Sequence, residues 1–123
     1  MRQAVRHRWR DYRTTSGARP WKDFIDALPD EDAADVLVAM REVAQKGLSS
    51  ARHLRGEIYE VRADGPSGSY RVLMALEGTK GRILLALAGF RKQTQRTPPG
   101  MIGLAERRLD DWRSRRQRHA RRS

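Results

Sequence analysis

Between residues 20 and 47 the apolar positions recur at the spacing of one helical face. In PWKDFIDAL (20–28), Trp21, Phe24, Ile25 and Leu28 fall at i, i+3, i+4 and i+7 behind a proline suited to a helix start. Pro29 ends this segment, since it has no N–H to continue the ladder. Asp30 is placed to cap a second helix with Ala33, Val36, Leu37, Met40, Val43 and Ala44 on its inner face, and Gly47 closes it. From residue 57 the period drops to 2. EIYEVRA (57–63) and YRVLMAL (70–76) read as strands around the turn DGPSG (64–68). After a second turn, EGTKG (77–81), the apolar run RILLALAGF (82–90) reads as a central strand covered on both faces. RHRWRDY (6–12) alternates weakly and is compatible with a further strand, followed by a turn at TTSG (14–17). TPPG (97–100) breaks the chain before a last helix, from Met101 to about Arg116, with Ile102, Ala105, Leu109 and Trp112 on one side. The pattern predicts an α+β fold: a small, mainly antiparallel twisted sheet, two N-terminal helices packed on one face, and a C-terminal helix.

Alternation sorts the strand residues by face, given one assumed register. With Arg62 opposite Arg71, the residues Tyr59, Val61, Val72, Met74 and Leu76 share the side toward the helices. Ile58, Glu60, Arg62, Arg71, Leu73 and Ala75 take the other side. On the third strand Ile83, Leu85 and Leu87 suit the helix side, which leaves Ala86, Ala88, Phe90 and Lys92 beside the arginines. This predicts an open groove with small residues at its floor, cations around it and one carboxylate. A slip of one residue would invert the assignment.

Charge turns that groove into a candidate site. Lys and Arg number 26 against 15 Asp and Glu, a net charge of +11, and such an excess points to a polyanionic partner. Six arginines and no acid stand in WRSRRQRHARRS (112–123), about half the surplus, so the body is basic as well. Length suits one domain, taken as residues 1–112, followed by an arginine-rich tail at 113–123. Cysteine is absent, which excludes disulfides and thiolate metal sites and suits a reducing cytoplasm. No run approaches 18 apolar residues and no apolar segment follows the N-terminal charges, so neither a membrane span nor a secretory signal is expected. No histidine–acid grouping has metal-ligand spacing, and no glycine turn matches a phosphate loop.

By themselves these residues leave two readings open. Arg62 and Arg71 fit a phosphate contact, and equally a solvated pair with Glu60. Phe90 fits a base-stacking platform or a core residue, and Thr94 and Thr97 fit ordinary loop positions.

In order, the two helices, HLRGEIYEVR, YRVLMAL, LLALAGFRKQTQRTP and AERRLDDW resemble the RelE/HigB-like toxins of bacterial type II toxin–antitoxin systems, and most of all their phage-derived branch. The resemblance spans roughly Pro20 to Trp112. It implies a RelE-like fold and a cytoplasmic mRNA endoribonuclease that uses no metal or other cofactor. The implied reaction is attack of a ribose 2′-OH on the adjacent phosphate, in many members within the ribosomal A site. It also implies neutralisation by an antitoxin, often of helix-turn-helix type. On that basis Arg62 and Arg71 hold the phosphate, Lys92 is a further phosphate contact or proton shuttle, and Glu60 is the candidate base. Phe90 would stack a base, and Arg55, Arg91, Thr94 and Arg96 would guide the RNA. Relatives often carry a histidine where Ala88 stands, and many an aromatic residue at Met74. The alternative is a noncatalytic RNA- or DNA-binding module, or a decayed toxin; a third reading is a basic face that docks an acidic protein.

Overall fold

The computed structural model describes residues 7–122. Arg6, where the first expected strand begins, and Ser123, at the end of the tail, lie outside them. Strand β1 (Arg8–Asp11) leads to helices α1 (Pro20–Asp26) and α2 (Asp30–Lys46). Then come β2 (Arg52–Arg55), β3 (Ile58–Gly65), β4 (Gly68–Glu77), β5 (Ile83–Arg91) and helix α3 (Pro99–Arg122). The sheet order is β1-β5-β4-β3-β2, antiparallel except that β1 runs parallel to β5. The architecture is the α+β arrangement expected.

The N-terminal helices begin and end for local reasons. Pro20 opens α1, and Arg19 before it is tied to Asp11 at 2.8 and 2.9 Å. Asp30 does not cap α2 as expected. It is already the first helical residue, and Pro29 precedes it with no side-chain cap bond. Asp30, Glu31 and Asp32 instead place three carboxylates in the first turn, where the helix dipole favours them. Gly47, at φ +80°, ends the helix with its N–H on Val43 O. Val36, Met40, Val43 and Ala44 are buried against the sheet, but Leu37 is 48 % exposed, one helical step beyond the edge of that face.

Arg62 does pair with Arg71, so the assignment of β3 and β4 to their faces holds. On one side Val61, Ala63, Tyr70, Val72 and Met74 form a core with α1 and α2. The third strand departs from simple alternation. Leu73 pairs with Ala88 but Met74 with Ala86, so Leu87 is the extra residue of a bulge. The bulge reverses parity along β5. Leu85 and Leu87 lie away from α1 and α2, and Ile83 shares the parity of Leu85, whereas Leu84 and Ala86 join the α1/α2 core. Ala88 and Phe90 keep the expected side. Gly89 faces α1, where Phe24 Cδ2 would lie 2.3 Å from any Cβ.

The expected open groove is mostly closed. Helix α3 lays Ala105 and Leu109, with Met101, Ile102 and Trp112, on Ile58, Leu73, Ala75, Leu85, Leu87 and Ala88. The apolar stripe of α3 needs a partner, and the second face of a Leu-rich strand supplies one. Helix α3 also runs past Arg116, where the sequence pattern ends it, to Arg122. In this arginine-rich segment Arg113 reaches Glu57 at 2.6 Å and Glu77 at 2.8 Å.

Candidate active site

Beyond the first turn of α3 the covered face opens into a cavity of about 360 Å³. Its walls are the end of β5 and the loop that carries the chain into α3. Arg71, Phe90, Lys92, Thr94, Arg96 and Thr97 are among its lining residues. Register explains the convergence. Arg71 pairs across the ladder with Arg62 on one side and Phe90 on the other, and Glu60 pairs with Leu73 and with Arg52 on β2. Alternation then sends Arg52, Glu60, Arg62, Arg71 and Phe90 to one face.

Glu60 and Arg71 are the buried charges here, 2 % and 4 % exposed. Glu60 Oε1 lies 3.6 Å from Arg71 Nε, an ion-pair distance but too long for a good hydrogen bond. The other carboxylate oxygen, Oε2, accepts from the Thr97 hydroxyl in a very short contact. Arg71 spends one N–H on the carbonyl of Tyr70 at 2.8 Å. Burial pushes the Arg71 guanidinium down from its ordinary value, and the positive charge of Arg62 adds to the effect. The group is cationic at any physiological pH and lacks full compensation, a state that a bound anion would relieve.

Of the residues singled out in the sequence, the fold gathers Glu60, Arg71, Phe90, Lys92, Thr94 and Arg96 around or beside the cavity, and Arg62 flanks it with an exposed side chain. Lys92 is anchored by its backbone N–H on Ser69 O at 2.7 Å. Thr94 turns its hydroxyl onto Arg96 O at 2.7 Å and so shapes the loop. Two residues go elsewhere. Arg91 lines the wall, but its guanidinium donates to Ser67 O at 2.6 Å in the β3–β4 turn. Arg55 is bound to Glu106 of α3 at 2.6 Å.

Two further residues belong to the constellation. Thr97 covers the carboxylate, and Arg52 adds a positive charge that acts on Arg71. Thr97 could have been found as the last hydroxyl before the double proline. Arg52 sits on a short strand, RHLR, that carries no alternation signal. Among the described residues no group of three His, Cys, Asp or Glu side chains could hold a metal ion, and no helix is long and apolar enough to cross a membrane. The site thus offers cations at its floor and rim and a carboxylate beneath them. Such a set can bind a phosphodiester and accept a proton from a hydroxyl beside it.

The family described as phage derived protein Gp49-like (DUF891) matches residues 23–110. The chain is also 32 % identical over 107 residues to a protein named "Probable endoribonuclease HigB1" in two strains of Mycobacterium tuberculosis, CDC 1551 / Oshkosh and ATCC 25618 / H37Rv. Each alignment covers 85 % of this chain and 83 % of the relative. The family match begins inside α1 and holds α2, the antiparallel strands and the cavity, and it lies within the span of the HigB-like resemblance. The chain belongs to the phage-derived Gp49-like family.

Proposed function

We propose that this protein is the toxin of a type II toxin–antitoxin pair, an endoribonuclease that cuts messenger RNA on the ribosome without a metal ion. The reading rests on one observation above all: a buried guanidinium, Arg71, lies at a cavity whose rim carries Lys92 and Arg96, with a carboxylate 3.6 Å behind it. The mycobacterial relatives bearing an endoribonuclease name support it.

In the proposed reaction the scissile phosphate seats against Arg71 and Arg62. Glu60 takes the proton of the 2′-OH, and O2′ attacks phosphorus. Charge builds on the nonbridging oxygens, where the arginines and Lys92 are placed to stabilise it. The P–O5′ bond breaks, the 5′-oxygen takes up a proton, and the products are a 2′,3′-cyclic phosphate and a 5′-OH. Glu60 is buried under Thr97 and its loop, so RNA binding to the 92–98 loop is the proposed trigger that exposes the carboxylate. A cognate antitoxin, of helix-turn-helix type, would hold the enzyme inactive in the cytoplasm.

Inducible expression tests the reading. Growth should stop, and mapped transcripts should end in 2′,3′-cyclic phosphates. Arg71→Ala should lower cleavage by about 10²–10³-fold, the size expected for losing one group that stabilises transition-state charge. Normal growth with intact transcripts at high expression would rule the reading out. RNA binding with no cyclic ends would make the protein a binding module instead.

A further inference from the structure

A second cationic surface lies at the far edge of the sheet, between β1 and the C-terminal half of α3. A groove of about 450 Å³ there is lined by Arg10, Arg13, Arg115 and Trp112, among others. Arg116 borders the adjoining hollow along the same helix. Each of the two nearby carboxylates is already paired with an arginine. Asp11 is bonded to Arg19 at 2.8 Å, and Asp111 to the Tyr12 hydroxyl at 2.6 Å and to Arg115 at 2.8 Å. Arg10, Arg13, Arg116 and Arg118 remain exposed. Rings hold the arginines in place: Arg10 lies over Trp112 at 5.4 Å, and Arg115 over Tyr12 at 5.3 Å. Two buried donors, Trp112 Nε1 and Arg115 Nε, have no hydrogen-bond partner among the described residues.

We propose that this surface binds the phosphate backbone of structured RNA, at a site separate from the cleavage cavity. Guanidinium groups match phosphate oxygens two at a time, and side chains already held by aromatic rings lose less freedom on binding. An acidic protein would need an apolar contact centre, yet Trp112 is half-buried beneath Arg10. A membrane would need exposed apolar side chains to insert, and the exposed large ones among the described residues, Leu37 and Val38, sit on α2 across the sheet. Single-stranded RNA would need free ring faces to stack on, and here arginines occupy them. A backbone-only contact to a folded RNA satisfies all of these conditions.

The test is fluorescence anisotropy of the full chain with a labelled RNA hairpin across a salt series. The triple variant Arg13→Gln/Arg116→Gln/Arg118→Gln should bind about 10-fold or more weakly, with a log–log salt slope shallower by about two to three. A control of equal charge on α1 and α2, Lys22→Gln/Arg41→Gln/Lys46→Gln, should stay within about two-fold of the parent. Should the first triple variant lose its circular dichroism signal, Arg116→Gln/Arg118→Gln on the exposed helix face carries the same prediction at about 3-fold or more. Equal weakening by both triple variants overturns the proposal. So does unchanged binding by the first triple variant, or equally tight binding to phosphatidylserine vesicles.

Discussion

Two carboxylates are buried on opposite faces of this sheet, Asp32 at 0 % and Glu60 at 2 % exposure, and they are held in opposite ways. Asp32, in the first turn of α2, accepts the Tyr70 hydroxyl at 2.5 Å and the Ser67 N–H at 3.1 Å, near the positive end of a helix. Its partners are neutral and close. Gly65 is required beside it, since a Cβ there would stand 2.7 Å from Asp32 Cγ. The Tyr70 hydroxyl is pushed up from its ordinary value, first by its bond to Asp32. Glu60 has instead a cation at 3.6 Å and a hydroxyl from a loop. Tyr70 and Arg71 are neighbours on β4, so one strand supplies a partner to each acid. A carboxylate closed by short neutral bonds fastens α2 to the β3–β4 turn. One shared between a loop hydroxyl and an under-compensated cation depends on a loop that lines the cavity, within reach of a ligand there.

Asp32→Ala should have the largest effect on stability. It leaves the Tyr70 hydroxyl and the Ser67 N–H without their acceptor, a loss of about 2–4 kcal/mol in urea unfolding. Cleavage per folded molecule should be kept, and a small stability loss would dissolve the contrast. Glu60→Gln should cost about 1–2 kcal/mol, because an amide can still accept from Thr97 but the buried Arg71 guanidinium loses its counter-charge at 3.6 Å. Its cleavage rate should nevertheless fall by about 10²-fold or more, as for loss of a general base. If stability collapses and activity survives, the two acids have exchanged roles.

Asp11 extends the comparison to a partly exposed carboxylate, and its effect is the smallest. The hydrogen bond from Arg19 holds its carboxyl below the usual range. A depressed folded value means the contribution is present above about pH 4, the unfolded value, and fades as pH falls through the folded one. Asp11→Asn should therefore lower the urea midpoint more at pH 6 than at pH 2.5. An equal loss at both values would mean that packing, and not charge, is what the substitution removes.

Much of this could be read along the chain. The i, i+3, i+4 recurrence from Trp21 to Ala44 marked both N-terminal helices, and the alternation around DGPSG placed Arg62 against Arg71. These are local signals, since side-chain direction follows backbone period. The candidate site was legible in part for the same reason: Glu60, Arg71 and Phe90 share a face by parity alone. Arg91 and Arg55 were not legible. Each is a long side chain that finds its acceptor, Ser67 O or Glu106, in a segment the local pattern does not link to it.

The sequence by itself determined the order of the helices and of β3, β4 and β5, the antiparallel pairing of β3 with β4 and the cationic character of one face, because period and turn chemistry act over a few residues. Only the tertiary structure decided which part of that face stays open. The bulge at Leu87 turned Leu85 and Leu87 toward α3, and the apolar side of α3 settled over them, leaving a cavity where its first turn begins. Burial is a property of what packs above a residue. For Arg71 and Glu60 that cover comes from the chain beyond β5, and no local pattern around either residue records it.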